Sequence, residues 1–420
     1  MRGWIALAMV AALALSGCGS AESGRTTITF VGSDPATAFA PVITAFQAKN
    51  PGIEVKYQNI PFDQYNNVIK QRVGGKDPSI DVLLVDAGAA ASMANRKWLF
   101  DLTAERAAAD RTSLSAAVEQ SVYQNKLWAL PMWTSCQYLY YNKELLKKAG
   151  VTAPSINPAQ RWTWEQTTAA ARKAQGAGAK WGLLFDQTDR YYQLQALAES
   201  AGGGSGATGP DLLTANVTTA GWKSAMTWYG SLFRTGVAPR GVATDQMNVL
   251  FASGKAAFFV GGPWSVTPIS KGKPKIDYGV APIPAFAGGK PAMPTGSWSI
   301  GISAASRHTA AAKKFVEFVS LSPEGNAAAV RTIIIPPTNK DAFSAYIQRL
   351  DATDRPGTQG MGALALSELK TSAVNRPNTV GFTQMQDVMG RAFSDIRNGG
   401  DPAGTLQRAQ AELQRLWDRL

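Results

Sequence analysis

The stretch "TTITFVGSDPATAFAPVITAFQAKNPGIEVKYQNIPFDQYNNVIKQRVGGKDPSIDVLLVDAG", Thr26 to Gly88, decides the fold. "TTITFVGS" reads as a strand. "ATAFAPVITAFQAKN" then carries apolar side chains at helical spacing (Phe39, Val42, Ile43, Phe46) and stops at the turn signal "NPG". "IEVKYQNI" alternates as a second strand, "PFDQYNNVIKQRVGG" as a second helix closed by glycines, and "SIDVLLVDAG" as a buried third strand. Strand–helix–strand–helix–strand predicts an α/β layout with parallel strands and right-handed crossovers. Ligands of such sheets bind beyond the carboxyl ends of the strands. Asp34 and Asp86 fall just past two of those ends.

Upstream stands "MRGWIALAMVAALALSGCGS". It has a basic residue at Arg2, an apolar run from Trp4 to Leu15, small residues, and then Cys18. The run is too short for a spanning helix and fits an export signal over residues 1–17. "LSGC" resembles the bacterial lipobox, which implies acylation of Cys18, a tether over residues 18–25 and a membrane anchor. An ordinary signal peptide that happens to hold a cysteine is the plainer alternative.

Downstream, "KLWALP" and "QYLYYN" read as strands flanking a transition at "MWTSC". "WTWEQTTAAARKAQ" opens on the capping pattern Thr163-x-x-Gln166. "QLQALAESAGG" reads as a helix, and "AGWKSAMTWYGSLFRTG" as one whose stripe Trp222, Met226, Tyr229, Phe233 faces a core. "IIIPPTNKDAF" reads as a second transition, and Gln384 to Leu420 as mostly helix broken at "NGGDP". "AAFFVGGPW" is a buried strand stopped by Gly261, Gly262 and Pro263, which leaves Trp264 at a turn. Loops on a rigid scaffold carry function, so Trp264 is a binding candidate, with capping of a core as the alternative.

The chain has 420 residues, 45% of them hydrophobic and 17% charged, which suits a globular protein of two lobes. Its net charge is +12, yet Lys and Arg are dispersed in runs no longer than two, which argues against nucleic acid. Two cysteines and one histidine, His308, supply no zinc constellation and no catalytic triad. Cys136 reads as a small buried hydrophobe. No cofactor and no metal is expected.

Taken in order, the lipobox, "ITFVGSD", "SIDVLLVDAG", "KLWALPMWTSCQYLYYNKELLKKAGV", "TWEQ", "LFASGKAAFFVGGPW", "GSWSIGISAAS" and "AAAKKFVEFVSLSPEGNAAAV" resemble the extracellular solute-binding proteins of ABC importers, in particular the carbohydrate-binding, maltose-binding-protein-like family. The resemblance spans nearly the whole mature chain. It implies a two-lobed α/β periplasmic-binding-protein-like fold (type II), with lobes joined by crossover hinge strands and a ligand cleft between them. One lobe would comprise residues 26–134 plus 298–335, the other 137–296 plus 337–420. It also implies a monomer that binds a carbohydrate, performs no bond chemistry, and delivers its ligand to an ABC permease.

Sugars present apolar C–H faces to aromatic rings and a rim of hydroxyls to charged partners. Trp264 matches the family's stacking tryptophan. Trp298 and Trp133 flank transitions, where a cleft or a core position would each fit. Asp34 and Asp86 match family ligand positions, although Asp34 also suits a helix N-cap. Gln137 and Tyr191 come from segments that line related clefts. Arg376 in "NRPNTVGF" matches a sugar-facing segment, with a surface salt bridge as the alternative. Where maltose-binding protein has aromatics on its tail helix, "TQMQDVMGRAF" has methionines, which points away from a maltodextrin. The competing readings are a glycerophosphodiester ligand held by Arg376, a secreted glycoside hydrolase using Asp34 and Asp86, and a sensory lipoprotein.

Overall fold

The computed structural model describes residues 24–296, 298–351 and 357–420, so the apolar leader and Cys18 lie outside it. The first segment forms β1 (Thr26–Gly32), α1 (Ala36–Lys49), β2 (Ile53–Asn59), α2 (Phe62–Gly74) and β3 (Val82–Asp86). After β4 (Leu130–Trp133) the chain enters β5 (Tyr138–Asn142), α3 (Trp164–Gly176), β6 (Trp181–Phe185), α4 (Tyr191–Ser200), α5 (Ala220–Arg234) and α6 (Thr244–Ala252). It continues through β7 (Ala256–Gly261), β8 (Tyr278–Pro282), β9 (Trp298–Ile302), α7 (Thr309–Leu321) and α8 (Pro323–Ala329), and closes on α9 (Phe382–Arg397) and α10 (Pro402–Trp417).

Two sheets organise two cores. In the first, ordered β2-β1-β3-β9-β4, β1 runs parallel to both neighbours, with Phe30 opposite Tyr57 and Val82. The parallel arrangement expected of the first three strands is present, whereas the later strand β9 is antiparallel to β3 and to β4. The reason is its route: β9 arrives from the other lobe at the cleft end of the sheet and must run away from it. The second sheet, ordered β8-β5-β7-β6, keeps only β7 and β6 parallel.

The first core draws on α1, α2, α7 and α8 around Ile28, Phe30, Phe39, Tyr65, Leu84, Ile300 and Phe315. The second gathers Tyr140, Trp164, Leu184, Trp222, Phe259, Met385 and Phe393. Local chemistry explains these helices. Tyr65, Ile69 and Val73 form the buried stripe of α2. Thr163 and Gln166 make the reciprocal capping box of α3. Trp222, Met226, Tyr229 and Phe233 are all buried on α5. The Cys136 thiol is buried, donates to the Tyr138 hydroxyl, and is pushed up by burial to about 12, so it packs and does not react.

Polar contacts tie together the segments around Thr134, Thr295 and Pro336, which lie between the two cores. The Thr134 N–H donates to the Pro336 carbonyl at 2.9 Å. The hydroxyls of Thr134 and Thr295 stand 3.2 Å apart, and Trp133 bridges to Pro337.

Candidate functional site

Between the cores lies a cavity of about 710 Å³, within the range of roughly 300–1,000 Å³ common for small-molecule sites. Strand ends build it. Ser33 and Asp34 follow β1, Asp86 ends β3, Trp133 ends β4, Asp186 follows β6, Trp264 follows β7, and Trp298 opens the antiparallel β9. The sequence reading thus named six residues that line this cavity: Asp34, Asp86, Trp133, Trp264, Trp298 and Arg376.

The tryptophans differ in setting. Trp264 sits in the short 3-10 turn Pro263–Ser265, half-buried, and packs against the edge of the first core although its strand belongs to the second sheet. Its indole folds back over Gly262, where a Cβ would approach the ring to 2.2 Å. The glycine therefore provides room for the ring, which answers why an apolar strand stops at Gly-Gly-Pro. The indole N–H donates to Asp186 Oδ2 at 2.8 Å. Trp298 stands edge-on to Tyr65 with centroids 5.5 Å apart. Trp133 does both things foreseen for it: it stacks on Phe39 within the first core and also lines the cavity. Its indole N–H is buried and, among the described residues, has no acceptor.

The carboxylates also differ. Asp34 does not cap α1, because Pro35 takes that position and no side-chain cap bond forms. Among the described residues its carboxylate accepts only from Ser33 Oγ, at 3.3 Å, and burial pushes it up to about 6. Asp86 and Arg376 form an ion pair 2.5 Å apart, off the alignment of a hydrogen bond, with both side chains almost fully buried. Arg376 also donates to the Gly296 carbonyl at 2.8 Å and lies over the rings of Tyr192 and Phe382. It is therefore a buried partner of Asp86 and not part of a surface salt bridge.

Gln137 and Tyr191 do not line the cavity. Gln137 is fully buried and accepts from Gln193 Nε2 at 3.0 Å. Tyr191 is fully buried, donates to the Ser205 carbonyl and packs edge-on to Phe382. The cause is helix phase: α4 starts at Tyr191, two residues ahead of the predicted "QLQ", and turns Tyr192 to the cavity instead.

Asp186 was missed. It lies directly past the carboxyl end of "KWGLLF", so the rule that selected Asp34 and Asp86 would have found it too. It is buried, accepts from Trp264 Nε1 and from Asn248 Nδ2 (3.1 Å), and burial holds it up at about 6 despite those bonds. Arg190 and Asp63 were missed as well; they pair at 2.7 Å across the cavity mouth, with the guanidinium 4.4 Å from the Phe62 ring.

Residues 32–327 match the family of bacterial extracellular solute-binding proteins. The chain belongs to that family. A protein of Deinococcus radiodurans named "probable ABC transporter-binding protein" is 28% identical over 395 residues, 89% of each chain. The galactooligosaccharide-binding protein of Bacillus subtilis is 23% identical over 428 residues, covering 96% of this chain and 94% of that one. Among solved structures, an ABC substrate-binding protein of Listeria monocytogenes in complex with cycloalternan superposes with a TM-score of 0.80 at 23% identity, over 94% of this chain and 99% of that chain. The two-lobed α/β fold is thereby shown, and a solute-binding protein performs no bond chemistry, which removes the glycoside hydrolase reading. The family is extracellular, and no helix among the described residues is long and apolar enough to cross a membrane.

Proposed function

We propose that this solute-binding protein captures a neutral carbohydrate, a di- or oligosaccharide, and hands it to an ABC permease while anchored through acylated Cys18. The lobes in this reading are residues 26–134 with 298–335 and residues 137–296 with 337–420. The observation that carries the proposal is the cavity lining itself. Trp133, Trp264 and Trp298 give flat apolar walls, while Asp34 and Asp186 supply carboxylate acceptors that form no ion pair among the described residues. Flat walls suit C–H faces and carboxylates suit hydroxyl donors. The Trp133 N–H and Asn248 Oδ1, without partners among the described residues, add a donor and an acceptor for hydroxyls to complete. The oligosaccharide ligands of relatives that span the whole chain support the same class.

The glycerophosphodiester reading loses support. Four aspartates (Asp34, Asp63, Asp86, Asp186) against two arginines (Arg190, Arg376) line the cavity, and each arginine already faces an aspartate. A dianionic or monoanionic ligand would meet net negative charge. Ligand that touches both lobes favours the closed arrangement by its differential affinity, and the closed form then docks on the permease.

The test is the thermal unfolding midpoint of residues 19–420 against mono-, di- and oligosaccharides and glycerophosphodiesters. Ligand at one hundred times its dissociation constant adds about 2.7 kcal/mol. A rise with one saccharide that disappears in Trp264→Ala, with the fold kept, is the expected outcome. A rise with the phosphodiester alone would overturn it.

A further inference from the structure

Helices α2 and α9 belong to different cores, yet they meet. Tyr65, Ile69 and Val73 turn the apolar stripe of α2 into the first core, and Met385, Val388 and Met389 turn that of α9 into the second. What each helix offers the other is polar. Asp63, Asn66 and Lys70 stand at i, i+3 and i+7 on α2, which is one face of a helix. Thr383, Gln386 and Asp387 stand at i, i+3 and i+4 on α9, again one face. Asn66 Nδ2 donates to Gln386 Oε1 at 3.4 Å, and Lys70 Nζ lies 3.5 Å from Asp387 Oδ2. Arg190, directly before α4, extends the row through its pair with Asp63. One turn earlier on α9, the Thr383 and Ser92 hydroxyls stand 2.9 Å apart. Asn66, Lys70 and Asp387 are not among the residues that line the cavity, so they face one another and not a ligand.

We infer that this seam is a polar latch for the closed arrangement, in which Asn66, Lys70 and Asp387 act as positioning residues: they retain the ligand without touching it. The composition of the seam carries the case. Apolar stripes pressed together here would resist parting, because opening would expose them to water. Lys70, Asp387 and Asp63 are about half exposed, so water replaces their partners at little cost as the lobes separate. One exposed pair of this kind shifts an equilibrium by up to roughly fivefold. Affinity falls with the fraction of protein in the binding-competent form, so the latch enters the apparent dissociation constant of the ligand. It also gives closure a salt dependence that a neutral ligand does not bring. The Asp86–Arg376 pair is buried and little screened, so the exposed seam is the source of that dependence.

The experiment measures closure with no saccharide present, so it stands apart from the carbohydrate reading. Nitroxide labels on Lys56→Cys and Lys223→Cys, at exposed positions of the first and second lobes, report the distance between the lobes in residues 19–420, and buried Cys136 stays unlabelled. The closed population is expected to fall as salt rises from about 0.01 M to about 1 M, where the screening length drops from about 30 Å to about 3 Å. Lys70→Glu, which sets like charge against Asp387, should lower the ratio of closed to open about fivefold at low salt. Adding Asp387→Lys should restore it, a rescue that a merely structural role would not show. Lys314→Glu, the same reversal at an exposed lysine of the first lobe away from the seam, should leave the ratio unchanged. A ratio indifferent to salt, equal loss in Lys70→Glu and Lys314→Glu, or no rescue in the double variant overturns the inference. A saccharide that raises the unfolding temperature should leave Lys70→Glu about fivefold faster than it leaves the parent, and an unchanged release rate also overturns the latch. If no saccharide binds while the closed population still answers to salt and charge, the carbohydrate reading fails and the latch stands.

Discussion

Asp186→Asn should make the protein more stable and its ligand binding weaker. In the parent, Asp186 is buried beneath Trp264, and burial raises its carboxyl from 3.8 to about 6 even though two N–H donors face it. The folded state therefore holds the proton more tightly than the unfolded chain. Between those two values the folded state carries more protons, so stability falls as pH rises. The cost is absent below about pH 4, complete above about pH 6, and amounts to roughly 3 kcal/mol at 1.36 kcal/mol per decade. Asparagine removes that charge without changing shape. Its Oδ1 still accepts from Trp264, and its amide N–H can serve the partnerless Asn248 Oδ1 once that amide turns over. With about 2.1 cal/mol/K of unfolding entropy per residue over some 400 residues, the gain is about 3–4 °C near neutral pH if both lobes unfold together. Asp34, also raised to about 6, is present in both proteins and cancels in the difference. Calorimetry of the unliganded proteins from about pH 4 to pH 7.5 reads this directly. A saccharide should bind the variant about tenfold more weakly, because a neutral acceptor replaces a charged one. A variant no more stable at neutral pH, or one whose gain persists undiminished at pH 4, would refute the reasoning.

Two further outcomes follow from the same geometry. Gly262→Ala leaves the backbone in an allowed conformation (φ −96°) but drives a methyl into the Trp264 ring, so saccharide affinity should fall at least tenfold; titration calorimetry checks this, and unchanged affinity would show that the ring is not a wall of the site. Arg376→Leu strands buried Asp86 and should destabilise by about 3–5 kcal/mol, with Asp86→Asn added on top restoring most of the loss; denaturant melts compare the two, and no recovery in the double variant would assign the damage to lost packing on Tyr192 and Phe382 instead.

The fold was legible because its signals are local. Periodicity in residues 26–88 and the order of apolar runs specify strands and helices, and strand order with strand ends then places a cleft. That same rule found Asp34 and Asp86, and applied once more to "KWGLLF" it reaches Asp186. Tyr191 failed for a different reason: a helix start misplaced by two residues rotates the choice between adjacent tyrosines, and element boundaries are where sequence signals are weakest. Gln137 failed because a crossover residue can face a cleft or a packed glutamine, and only the arrival of Gln193 from α4 decides which.

What the sequence determined by itself was which residues stand at strand ends, since that depends on neighbours along the chain. The tertiary structure alone decided their states. Asp86 meets Arg376 from nearly three hundred positions away in an ion pair, whereas Asp186 accepts from the N–H groups of Trp264 and Asn248 and, among the described residues, has no ion-pair partner. Both follow a strand as aspartates, yet burial and partner charge act through space, and those were set only when the two lobes came together.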